Sequence, residues 1–233
     1  MKTFAILLFL LTITHAETKI VRVFVALCDN KTQGIVPVGA KIGDGNLPSA
    51  NLYWGCSDGL AIYFPKHKKW TVEKNEKDES GKVMRTLTLK HHTDKIQLIA
   101  EAYRGSEMKA CFEAYEKALA SGNNDLVAFI GHNALMDFHT TDPEQKEQHG
   151  TAAIVLACKS RIYFQERIKK LGGDPILLTD QFMYPGSFIL HDAIEAWYKG
   201  QSKSQIRDAA GKSYAKNQKI SVQAATGVFS IIK

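Results

Sequence analysis

Four short runs decide most of what this chain can fold into: Ile20 to Cys28 (IVRVFVALC), Asp125 to Ile130 (DLVAFI), Ala152 to Ala157 (AAIVLA) and Pro175 to Leu178 (PILL). Each is nearly continuous in apolar and β-branched residues, without the polar alternation of a strand that has one wet face. Strands of that kind belong in a parallel sheet with helices packed over it.

The segments between these runs carry helical spacing. Met108, Cys111, Phe112, Tyr115 and Leu119 recur at intervals of three and four, and Gly122-Asn123-Asn124 ends that helix. Arg161 to Leu171 gives another, closed by Gly172-Gly173, and Ser187 is read as the cap of a third that reaches Trp197. Gln201 to Lys216 reads as a polar, weakly amphipathic helix, and the residues after it stay unassigned. A short helix from Ser57 or Asp58 through Phe64 is expected to stop at Pro65, and Thr93 or Asp94 is read as capping a helix that carries Ile96, Ile99 and Tyr103. Trp70 to Lys74 and the alternating Lys82 to Lys90 suggest an antiparallel pair at a sheet edge. Strands alternating with helices predict an α/β fold with a mainly parallel sheet.

The amino terminus bears on compartment. Lys2, the apolar run Phe4 to Leu11 and then Thr14-His15-Ala16 have the form of an export signal over residues 1–16, leaving 17–233 as one domain. The apolar run is far shorter than the roughly 20 residues needed to cross a bilayer, so no membrane span is expected. The expected location is exported, periplasmic or extracellular. Thirty Lys and Arg against 24 Asp and Glu leave a net charge of +6 spread along the chain, with no basic stripe, which argues against nucleic acid as a partner.

An oxidising compartment permits disulfides, and Cys28, Cys56, Cys111 and Cys158 could form two bridges in three connectivities. A chain of this length also buries enough apolar surface without them, so free or catalytic thiols stay open, as does a Cys28 to Cys158 bridge. No Cys-x-x-Cys pair occurs and the His and Cys spacings fit no common zinc pattern, so no metal is expected. Gly39, Gly43 and Gly45 are not followed by a helix start, so they make no nucleotide fingerprint and no cofactor is expected.

In open α/β sheets ligands collect beyond the carboxyl ends of the strands. The four exits here are Cys28-Asp29, Gly131-His132-Asn133, Cys158-Lys159-Ser160 and Thr179-Asp180-Gln181. An imidazole and a thiol leaving consecutive parallel strands would share one rim. That pair can perform nucleophilic catalysis, with Cys158 as nucleophile, His132 as acid and base, and the amides of Asn133 and Cys158 as donors to the oxyanion. Asp29 and Asp180 are candidates for a substrate pocket, where acids would favour Lys or Arg side chains. Met136, Asp137 and Phe138 extend the His132 turn and are pocket candidates, although an apolar Leu135, Met136 and Phe138 cluster reads first as core.

A hydrophobic block ending in Gly131-His132, followed by a second ending in Ala157-Cys158, resembles the caspase-like (clan CD) cysteine peptidases. The resemblance covers roughly Ile20 to Trp197 in architecture and two short blocks in motif. It implies a three-layer sandwich with a mainly parallel sheet, His and Cys at adjacent strand ends, and a peptide or protein substrate. Asn133 follows His132 where the family usually has Gly, and Asn tolerates a left-handed backbone better than most residues. The alternative is a non-catalytic exported binding or interaction protein on the same fold, using the Asp29 to Gly55 excursion and the Tyr184-Pro185-Gly186 loop for recognition.

Overall fold

In the computed structural model, which describes residues 17–232, the first apolar run becomes the centre of a seven-stranded mixed sheet. The reading of residues 1–16 as an export signal lies outside the described residues. The strands are β1 (Lys19–Ala26), β2 (Trp70–Lys77), β3 (Val83–His91), β4 (Ile96–Tyr103), β5 (Leu126–Ile130), β6 (Ala152–Leu156) and β7 (Asp174–Leu177). They lie in the order β2-β3-β4-β1-β5-β6-β7. The β2, β3 and β4 contacts are antiparallel, and β4, β1, β5, β6 and β7 run parallel to one another, so the sheet is mostly parallel.

Alternation along the strands divides the core in two. Val21, Val23 and Val25 of β1 join one apolar cluster, which takes in α1 (Leu60–Lys66), α4 (Ser187–Tyr198) and α5 (Lys203–Gln218) through Phe64, Ile189, Ile194 and Tyr214. Phe24 and Ala26 join the other, with Phe112 and Tyr115 of α2 (Met108–Ala120) and Phe164 of α3 (Ser160–Lys170). Both sides of β5 and β6 are therefore buried, which is why those segments carry no polar alternation.

Four local readings are corrected. Ile96 to Tyr103 is a strand, not a helix: Ile96, Leu98, Ala100 and Ala102 alternate onto one face, and the backbone pairs with β1 on one side and β3 on the other. Two ladders of hydrogen bonds and a buried face outweigh the helix propensity of its Ala and Glu residues. Ser187 is the first residue of α4 rather than its cap, a place held by Gly186. Pro65 lies inside the last turn of α1 instead of preceding its end. The unassigned tail contains α6 (Val222–Thr226), capped by the Ser221 side chain.

Strand order reverses about β1, since β4 lies on one side and β5 on the other. Such a reversal opens a crevice beyond the strands' carboxyl ends, where loops leaving neighbouring strands diverge.

Candidate functional site

The crevice is a cleft of about 520 Å³ whose lining includes both His132 and Cys158. Each side chain is delivered by a strand exit, and the two strands, β5 and β6, are adjacent, parallel and in register from Leu126 with Ala152 to Ile130 with Leu156.

The β5 exit turns on Gly131. Its φ of +153° lies where side-chain-bearing residues are strained, and a Cβ there would meet the Ala26 carbonyl oxygen at 3.0 Å and the Ala26 Cβ at 3.1 Å. The chain passes tightly over the end of β1 and presents His132, 7% exposed, to the cleft. A single 3-10 turn, Ala134–Met136, then bends it back, with the Asn133 side-chain oxygen accepting from the Leu135 amide at 3.1 Å. This return brings Asp137 to His132, whose Nε2–H donates to Asp137 Oδ1 at 2.9 Å. A carboxylate only accepts, so the bond fixes the proton on Nε2 and leaves Nδ1 with the lone pair.

The β6 exit is held by buried hydroxyls. Ser160 Oγ donates to the Val155 carbonyl at 2.9 Å, and Thr179 Oγ1 donates to the Ala157 carbonyl. Lys159 adopts left-handed backbone (φ 50°, ψ 36°) and serves as the cap position of α3, so strand becomes helix within two residues and Cys158 stands at the corner. The Cys158 sulfur lies against the loop after β7, 3.4 Å from the Met183 amide and 3.7 Å from the Met183 carbonyl oxygen. The two exits are tied directly, because Asn133 Nδ2 donates to the Cys158 carbonyl at 2.8 Å. Asn133 itself is fully buried with φ −71° and ψ 96°, so the left-handed positions in this region are Gly131 and Lys159. Among the described residues, no acceptor takes the amide proton of Asn133 or of Cys158.

The third wall is the excursion after β1. Asn51 is completely buried and replaces a strand partner: its oxygen accepts from the Cys28 amide at 3.0 Å and its nitrogen donates to the Cys28 carbonyl at 2.8 Å. The same oxygen accepts from the Tyr53 amide at 3.2 Å, which fixes Tyr53 in the cleft lining. Gln33 ties the β1 exit to the chain beyond β4, donating to the Leu27 and Gly105 carbonyls and accepting from the Asp29 amide. Asp137 Oδ2 accepts from the Gly34 amide at 2.9 Å, so the acid that holds His132 also pins the excursion. Sequence reasoning placed Asp137 beyond the His132 turn as a possible pocket residue without pairing it with His132, and it did not single out Asn51 or Gln33.

Asp29 and Asp180 do not form the expected acidic pocket, since neither lines the cleft. Asp29 is buried and accepts from the Lys31 amide and the Thr32 hydroxyl, which makes it a turn-forming residue. Asp180 pairs with Arg161.

All four cysteines are free thiols in this structure. Burial pushes the Cys28 thiol up to about 11, and burial also raises the thiol of fully enclosed Cys111. Both therefore stay protonated and unreactive at neutral pH, because the thiolate is the attacking species. Ellman titration at pH 8 is expected to count two thiols in the native protein, Cys56 and Cys158, and four after denaturation. Four under native conditions would contradict the packing of Cys28 and Cys111.

His91, Asp94 and Glu195 also gather within metal-ligating distance. They face opposite ring nitrogens, with Glu195 on Nε2 at 3.1 Å and Asp94 on Nδ1, and Lys69 holds the second Glu195 oxygen at 2.9 Å. The Asp94 amide donates to His91 Nδ1 at 2.9 Å, so the arrangement is a hydrogen-bond network joining β3 to α4 rather than a convergent ligand set.

No family model matches the chain, and neither a curated protein nor a solved structure does.

Proposed function

We propose that the chain is a thiol-dependent peptide hydrolase of caspase-like, three-layer architecture, exported from the cell, in which Cys158 is the nucleophile and His132 the acid and base. The observation that carries this reading is the shared cleft: an imidazole and a thiol from adjacent parallel strands line one cavity, and a carboxylate orients the imidazole. Asp137 adds a third member, through a contact with His132 that the sequence reading did not assign.

His132 Nδ1 takes the Cys158 proton as sulfur attacks the scissile carbonyl carbon, and Asp137 stabilises the imidazolium that forms. The carbonyl oxygen gains negative charge, which the amides of Asn133 and Cys158 and the positive end of α3 stabilise. Imidazolium returns its proton to the departing amine, leaving a thioester. Water then attacks the thioester, with His132 accepting its proton and passing it to the Cys158 sulfur as the acid leaves.

One observation favours a second reading, an exported binding protein on the same fold: the Cys158 sulfur already has hydrogen-bond contacts with the Met183 backbone. Alkylation separates the two. Iodoacetamide at pH 7, followed by peptide mapping, is expected to label Cys158 first, at a rate roughly 10-fold lower in His132→Ala. A Cys158 that reacts no faster than Cys56, and equally in both proteins, would leave the binding reading in place.

A further inference from the structure

The cleft has a chemical bias that thiol hydrolysis by itself does not demand. Its walls include Leu52, Tyr53, Met183, Tyr184 and Tyr214. Of the tyrosine hydroxyls, that of Tyr214 already accepts from the Tyr184 amide at 3.2 Å. The walls otherwise offer a ligand mainly hydrocarbon and ring carbon. At the mouth, Val36 and Phe182 stand 87% and 65% exposed.

Charge is missing where a charged guest would need it. Among the described residues that line the cleft, none carries a carboxylate, an ammonium or a guanidinium group. The charged neighbours stand outside the lining and already have partners: Asp137 with His132 and the Gly34 amide, Asp58 with Asn217 at 2.9 Å, and the Lys159 ammonium 4.6 Å from the centre of the Phe182 ring at the mouth. A guest ammonium or carboxylate entering this cleft would lose water and meet no counter-charge. An apolar side chain would lose only unfavourable hydration.

We infer that the cleft takes a large uncharged apolar side chain, such as Phe, Leu or Met, from the residue on the acyl side of the scissile bond. The inference rests on the hydrolase reading and adds the substrate class. A space of about 520 Å³ holds one such side chain together with a short stretch of its backbone. It also replaces the preference for Lys or Arg that acids at positions 29 and 180 would have created.

The test uses acetyl-tetrapeptide coumarin amides that differ only in the last residue, Phe, Leu, Lys or Asp, on the wild-type protein and on Cys158→Ala. Cys158-dependent kcat/KM for Phe or Leu is expected to exceed that for Lys and Asp by on the order of 100-fold. Fastest turnover of the Lys or Asp substrate would overturn the inference and leave the hydrolase reading standing. With no Cys158-dependent turnover of any substrate, the hydrolase reading falls, and binding of the same peptides to Cys158→Ala, followed by tryptophan fluorescence, decides the matter. Saturable binding at least 10-fold tighter for Phe or Leu than for Lys and Asp supports the apolar cleft. Equal binding, or none, refutes it.

Discussion

Asp137→Asn is expected to lower kcat for peptide hydrolysis by about 1,000-fold with little change in KM. The carboxylate accepts from His132 Nε2 at 2.9 Å, which in the neutral ring leaves Nδ1 as the nitrogen that the proposed mechanism uses to take the Cys158 proton. An amide in its place can turn its NH2 toward Nε2, which moves the ring proton to Nδ1 and removes the base. It also withdraws the negative charge that stabilises imidazolium during attack. Because Asn keeps an oxygen able to accept from the Gly34 amide, the excursion after β1 stays anchored and the fold is preserved. Cys158→Ala should fall to the uncatalysed rate. Steady-state kinetics on both variants, with circular dichroism as the folding control, provide the check. Wild-type kcat in Asp137→Asn would remove Asp137 from the mechanism.

Phe129→Ala is expected to lower unfolding free energy by about 4 kcal/mol and the melting temperature by about 10 °C. Phe129 is completely buried on β5, with its ring centre 5.9 Å from that of Tyr115 on α2 and 6.0 Å from that of Phe164 on α3. Truncation leaves a cavity where the sheet meets two helices, and the two rigid aromatic neighbours collapse poorly into it. Phe129→Leu keeps most of the volume and should cost about 1 kcal/mol. Urea unfolding followed by far-ultraviolet circular dichroism distinguishes the two. Loss of less than 1 kcal/mol in the alanine variant would mean that this contact is not the joint the structure describes.

The parallel strands were legible because burial on both faces leaves an uninterrupted run of apolar and β-branched residues bounded by turn residues. β4 was not. Ile96, Ile99 and Tyr103 fit a helical stripe as well as Ile96, Leu98, Ala100 and Ala102 fit alternation, and Ala100-Glu101-Ala102 favours helix locally. The choice is made by β1 and β3, which border the segment only once the chain has folded. Site residues divide along the same line. His132 and Cys158 were visible because strand exits are where an α/β sheet places ligands. Asp137 sat inside an apolar cluster, and the sign that could have paired it with His132 is a polar residue one tight turn beyond an Asn able to cap that turn. Asn51 and Gln33 bond mainly to backbone groups of other chain segments, a relation no local pattern records. Strand-end Asp29 and Asp180 show the opposite error, since turn formation and ion pairing used carboxylates that a rim argument had assigned to substrate.

The outer strands of the sheet also bear on how the protein behaves when crowded. β2 is exposed from Thr71 onward, carries two lysines and two glutamates in its last five residues, and slips register between Val72 and Lys74. β7 at the far side has four residues and contains Pro175, which has no amide proton to offer. Neither border presents the long, flat, apolar ladder on which another chain could continue the hydrogen bonding, so polymerisation by strand addition is discouraged at both ends.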